Sequence, residues 1–193
     1  MVFTPPHRET RERYPGLYVG QVEANDLGLG RIKVSIPSMF DETNPDFFVW
    51  ARPCFPYGHF FVPEVGDKVW LAFENGDPSS PVWIGVWYPD GAVPPDADVS
   101  PPVKRLIRSA KGHAILFDDT DDSEAVIIQD KAGNRIELQS ASGNEAVIVS
   151  DKTGNKIELR SDGVLIKCVQ NLTIDASGKE IVIKASSVDV QQA

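Results

Sequence analysis

Few side chains in this 193-residue sequence stand in patterns that could do chemistry. Gly28-Leu29-Gly30 has the look of a phosphate-cradling loop. It lacks the full GxGxxG spacing, and no helical pattern follows to offer an N-terminus, so it reads as a hairpin turn. Asp118, Asp119, Asp121, Asp122 and Glu124 could collect a Ca²⁺ ion. The spacing and central glycine of a calcium loop are missing, and a solvated loop is expected instead. Glu64 and Asp67 could serve as acid and base, but nothing around them reads as a pocket, and a turn at a strand start fits better. Cys54 and Cys168 lie too far apart in sequence to indicate a disulfide framework, which fits a reducing compartment during folding. Cys168 sits on an alternating apolar stripe and reads as a small buried hydrophobe. Trp50, Trp70, Trp83 and Trp87 could stack on bases or sugars. Without a basic groove they are assigned to a core and to subunit contacts. No catalytic residue, no cofactor-binding residue, no cofactor and no metal site are expected.

The elements that carry these residues fall into two halves. All 15 prolines lie at or before Pro102, all four Trp and all four Tyr at or before Tyr88, and Phe117 is the one phenylalanine beyond Phe73. The first half therefore builds an aromatic core between proline-punctuated loops. The second builds from Ile, Val and Leu, with Gly, Asn, Asp and Ser at the breaks. The net charge of −9 argues against a broad nucleic-acid surface. No apolar run approaches the ~20 residues that span a bilayer, and Met1 to Arg8 holds no apolar core, so a secretory leader is not expected. Residues 1–13 read as an arm, 14–88 as the first domain, 89–103 as a Pro-rich acidic linker and 104–193 as the second domain.

No window sustains helical periodicity. In the first domain five short strands are expected at 17–24, 31–36, 47–52, 68–73 and 82–87, separated by Gly, Pro, Asn and Asp. Five strands in so short a span suggest a small closed barrel or sandwich.

The second domain repeats itself. Residues 124–140 align with 145–161, and Gly112, Gly133 and Gly154 stand at a constant interval of 21. Each unit reads as strand, Gly-Asn turn, strand, and repeats of this length imply stacked units. Apolar alternation runs through Ile136 and Leu138, Ile157 and Leu159, Val164 and Ile166, Leu172 and Ile174, Ile181 and Ile183, then Val188 and Val190. Such a stripe needs a cover, because burying each Val, Leu or Ile gains ~1.5–3 kcal/mol that is lost if it faces water. This stretch has no helix and few aromatics. Three copies wound about one axis would bring the stripes together, so an obligate homotrimer is expected, with those residues from Ile136 to Ile183 as its core.

The first domain resembles a known family. Leu17-Tyr18-Val19-Gly20-Gln21-Val22 with Gly28-Leu29-Gly30-Arg31-Ile32-Lys33-Val34 is similar to the start of the OB-fold domain of phage baseplate spikes. The blocks Trp50-Ala51-Arg52-Pro53, Phe61 to Val69, Phe73 to Pro78 and Pro81 to Gly85 follow in the family's order. The whole resembles T-even and gpV-type tail spikes and the VgrG proteins of type VI secretion. The resemblance implies an all-β chain: an N-terminal OB-fold barrel followed by a C-terminal intertwined trimeric β-helix, the needle.

It further implies the structural central spike of a contractile phage tail or phage-like injection particle. Such a spike is not an enzyme. It is a component of a baseplate assembled in the bacterial cytoplasm. The implied partners are a hub protein at the OB domain and a target membrane met mechanically, with no nucleic acid. The T-even spike carries a lysozyme domain between barrel and needle, and here only the linker occupies that place. Some short spikes end in a His-x-His iron site; this chain has only His7, His59 and His113. A PAAR-type tip protein is therefore expected to cap Val188, Val190, Gln192 and Ala193. The alternatives are an OB-fold module binding oligosaccharide or single-stranded nucleic acid, and a β-helical enzyme acting on polysaccharide.

Overall fold

The computed structural model describes residues 12–191. Met1 to Arg11 of the expected arm, and Gln192 and Ala193 of the expected tip, lie outside the described residues. The chain divides into two compact units, one ending at Asp98 and the other beginning at Val99.

The first unit is a closed barrel of five strands: β1 (Tyr18–Asp26), β2 (Arg31–Ser35), β3 (Val49–Pro53), β4 (Lys68–Phe73) and β5 (Pro81–Val86). Their order around the barrel is β1-β2-β3-β5-β4, with β4 returning to β1. All neighbours are antiparallel except β3 and β5. Closure leaves no free sheet edge. Alternation decides what points inward: Val69, Leu71 and Phe73 of β4 meet Val22, Ile32, Val34, Ile36, Ala51 and Trp83 in one buried cluster. Trp83 is 2 % exposed, donates its indole N–H to the Gly30 carbonyl (3.2 Å) and meets Phe55 edge-on. Gly20 is required by close approach: a Cβ there would lie 2.6 Å from the Leu71 side chain and 2.9 Å from the Ser35 carbonyl.

Strand 47–52 begins later than expected. Asn44 caps a 3₁₀ turn over Pro45–Phe47, and Phe47 stacks on Phe40 instead of entering β3. Trp83 alone of the four tryptophans joins the core. Trp50 is 43 % exposed beneath the Arg31 guanidinium, and Trp70 and Trp87 pair edge to face on the outside of the barrel.

The second unit is one open sheet of seven antiparallel strands in chain order: β6 (Lys104–Arg108), β7 (Ala114–Asp118), β8 (Ala125–Gln129), β9 (Arg135–Gln139), β10 (Ala146–Ser150), β11 (Lys156–Arg160) and β12 (Gly163–Lys167). Within one chain these strands reverse and pair with their sequence neighbours; they do not wind as a β-helix. From Cys168 to Gln191 no strand forms, and a turn there is closed by the Lys179 N–H on the Ala176 carbonyl.

Candidate functional site

Strand register sorts every side chain of the sheet onto one of two faces. One row reads Ile107, Ile115, Ile128, Ile136, Val149, Ile157 and Ile166. The row beside it, on the same face, reads Arg105, Phe117, Val126, Leu138, Val147, Leu159 and Val164. Every position of both rows except Arg105 is apolar. Of the core residues expected from sequence, Ile136, Leu138, Ile157, Leu159, Val164 and Ile166 fall on this face, 42–67 % exposed. Leu172, Ile174, Ile181 and Ile183 lie beyond the sheet and are 50–70 % exposed. Val188 and Val190 of the expected tip are also bare, Val190 to 89 %. Cys168 is half-buried rather than buried.

The opposite face is mixed: its middle row reads Leu106, Leu116, Ile127, Glu137, Ile148, Glu158 and Leu165, and ion pairs lie within it and beside it. Glu158, buried in the middle of β11, is held by Lys156 and Arg160, which lower its pKa. Arg135 pairs with Glu137 at 2.6 Å, and Lys104 with Asp118 at 3.2 Å. The two faces therefore differ in degree: one mixes a single apolar row with ion pairs, and the other sets two apolar rows side by side without a cover in the chain.

Corners stack at the sheet's edge with the 21-residue interval. Gly133 and Gly154 sit at φ 91° and 96°, the left-handed region that a reversing corner needs and a Cβ resists. Asp130 accepts from the Ala132 and Asn134 amides, and the Asn134 amide nitrogen donates back to it at 2.7 Å. Asp151 does the same with Thr153 and Asn155. Each asparagine then reaches onward. Asn134 Oδ1 accepts the Lys152 N–H of the next corner (3.2 Å), and Asn155 Oδ1 accepts the Val169 N–H (2.7 Å). This rung between corners was not anticipated; Gly-Asn at a constant interval was its signal.

The Thr153 hydroxyl, then the Asn155 amide, hold Asp151 down to a pKa of about 2 from an ordinary 3.8. A carboxyl depressed in the folded state contributes its full stability above its unfolded value and loses it as pH falls through the folded one. The sheet of the native chain is expected to lose thermal stability as pH drops from 3.8 towards 2, and Asp151→Asn to flatten that slope. Melting curves across that range check it; equal slopes would show that this corner contributes nothing.

The other sequence candidates resolve into structure. Leu29 N–H closes on the Asp26 carbonyl in the β1–β2 hairpin that holds Gly28 and Gly30. The Glu64 amide donates to Asp67 in the turn before β4 (2.8 Å). The acidic loop is dispersed: Asp118 binds Thr120 and Lys104, Asp119 binds Arg105, and Asp122 and Glu124 border a hollow of about 410 Å³ that Arg160 also lines. For Asp118, burial pushes the pKa up and the Thr120 and Lys104 hydrogen bonds outweigh it, leaving it lowered. Among the described residues, no group of three His, Cys, Asp or Glu is placed to hold a metal ion.

Residues 18–88 match the family model for the type VI secretion system/phage-baseplate injector OB domain. The matched span coincides with the closed barrel. It supports a structural role for that barrel in the baseplate of a phage-like injection system. No curated protein matches the chain.

Proposed function

We propose that this protein is the homotrimeric central spike of a contractile phage tail or phage-like injection particle. Its barrels seat on a hub protein of the baseplate, and its C-terminal end leads into the target envelope when the sheath contracts. The observation that carries this reading is the bare pair of apolar rows from Ile107 to Val164. One sheet with one greasy face cannot stand in water. Three copies related by a threefold axis turn those faces inward and keep the ion-paired faces outward, which makes a closed prism of three walls. The likeness of residues 18–88 to injector OB domains supports the baseplate setting.

The role is mechanical and not enzymatic. Backbone pairing along each wall and a dry, close-packed axis resist bending and compression. A PAAR-type protein is the partner that meets the bare Val188 and Val190. Assembly takes place in the bacterial cytoplasm.

A second reading has one observation in its favour. Arg31 lies over Trp50, and Lys33 over Phe48, on the outer side of β2 and β3, where OB-folds grip oligonucleotides and oligosaccharides. The two readings part on mass. Light scattering of the full chain in dilute solution is expected to give three times the 21.2 kDa chain mass, unchanged on dilution. A monomer that binds single-stranded DNA or oligosaccharide would replace the spike with the binding module.

A further inference from the structure

The two edges at which the strands of the sheet reverse carry opposite charge. On one edge, the corners that turn at Gly112, Gly133 and Gly154 present Lys111, Lys131 and Lys152, all exposed. The two acids there, Asp130 and Asp151, are turned into their own corners by hydrogen bonds from Asn134 and Asn155. On the other edge, the corners present Asp121, Asp122, Glu124, Glu145 and Asp162. The bases on that edge are taken: Lys104 by Asp118, Arg105 by Asp119 and Arg160 by Glu158. Among the described residues, none of the three lysines and none of those five acids forms an ion pair within the chain.

The repeat sets these opposite charges at the two ends of the same strands. Strand β8 follows Glu124 and runs on into Asp130-Lys131; β10 follows Glu145 and runs on into Asp151-Lys152. Seven residues of extended chain at ~3.3 Å each hold the two ends about 23 Å apart, so neither Glu and Lys can meet within one chain. Glu124 also lacks a donor: its Oε2 is buried and has no hydrogen-bond partner. It borders the hollow of about 410 Å³ together with Asp122, Gln139 and Asn144. Arg160 lines that hollow too, but its guanidinium is held by Glu158. Carboxylate and amide oxygens around an orphaned carboxylate oxygen suit the three donors of an ammonium group.

We infer that the walls of the shaft join edge to edge by charge, the lysine edge of one copy seated on the acidic edge of the next. The inference rests on the trimer proposed above. A threefold axis sets β8 of all three copies at one height, so the Lys131 end of each strand meets the Glu124 start of the next. Lys131 then enters the hollow and supplies the donor that Glu124 lacks. Strand β10 closes a second ring in the same way through Lys152 and Glu145. Two different edges in contact make a heterologous seam, the type that closes a ring. The apolar rows hold the copies together; the seams fix which edge meets which, and at what height. A copy turned end for end would set lysines against lysines, so the seams also exclude that arrangement.

The test treats the full-length protein with a carbodiimide, which couples an amine to a carboxylate only where the two touch. Denaturing electrophoresis is expected to show linked dimers and trimers, and their peptides to join Lys131 to Glu124 or Lys152 to Glu145. Lys131→Glu with Lys152→Glu is expected to lose those links. Adding Glu124→Lys with Glu145→Lys is expected to restore them in the opposite sense. Linked species that join only other residues, or no linked species, overturn the seam, as does a fourfold variant of trimer mass that regains no link. If the native protein still has the mass of a trimer, the spike reading survives those results; if it has the mass of a monomer, both fall.

Discussion

Ile136→Asp is expected to abolish the proposed trimer. Ile136 lies mid-row on the bare face, with Ile128 and Val149 as its strand neighbours, and is 42 % exposed in the single chain. On a threefold axis one substitution places three carboxylates in one layer. Each loses the ~1.5–3 kcal/mol that a buried isoleucine gains. Each also brings a charge into a dry interior, which costs several kcal/mol per ion without a partner, and like charges add to that. The full chain is then expected to scatter as a monomer or to aggregate through its remaining stripe. Gln129→Asp, exposed on the opposite face of β8, is expected to leave the trimer intact. A trimer that persists with Asp at position 136 would show that this face is not the one the copies share.

Trp83→Ala is expected to unfold the barrel and spare the shaft. The side chain is the largest that is fully buried, and its removal leaves a cavity against Phe55 and an orphaned Gly30 carbonyl. Such a truncation costs about 3–5 kcal/mol, a large part of what holds a domain of this size together. None of the barrel's core residues comes from the second unit. The barrel's melting transition is expected to fall by more than about 10 °C while the native mass stays trimeric. Loss of both together would mean that the two units fold as one.

The barrel was legible in sequence where local pattern decides structure. The strand at 68–73 stands as expected because Val69, Leu71 and Phe73 alternate cleanly between a Gly-Asp turn and a Glu-Asn-Gly turn. Strand β1 runs on to Asp26, past its expected end, because Arg31 pairs with Asp26 across the hairpin at 3.0 Å. The parallel pairing of β3 with β5 closes the barrel between segments about thirty residues apart, and no local signal announces it. Residue type did not tell the four tryptophans apart. Register did, since β4 turns Val69 and Leu71 inward and so leaves Trp70 outside.

In the second unit the interval and the apolar side were both readable. Whether the chain would coil or fold back was not, because both use strand, turn, strand. The Asp-to-Asn closure at the Asp130 and Asp151 corners holds the chain in its reversal there, and it depends on hydrogen bonds that a repeat shows only as two recurring letters.

The constant interval graduates the sheet, and with it the shaft proposed above. Each 21-residue unit lays down two strands, and at ~4.8 Å per strand the sheet grows by roughly one nanometre. Whole units can be duplicated or lost with the asparagine rungs and the apolar rows still in step. A fractional insertion within a strand turns the oily side outward. Length in such a molecule is therefore counted rather than continuous. In the spike proposed above, duplication of whole units would lengthen the reach in equal steps.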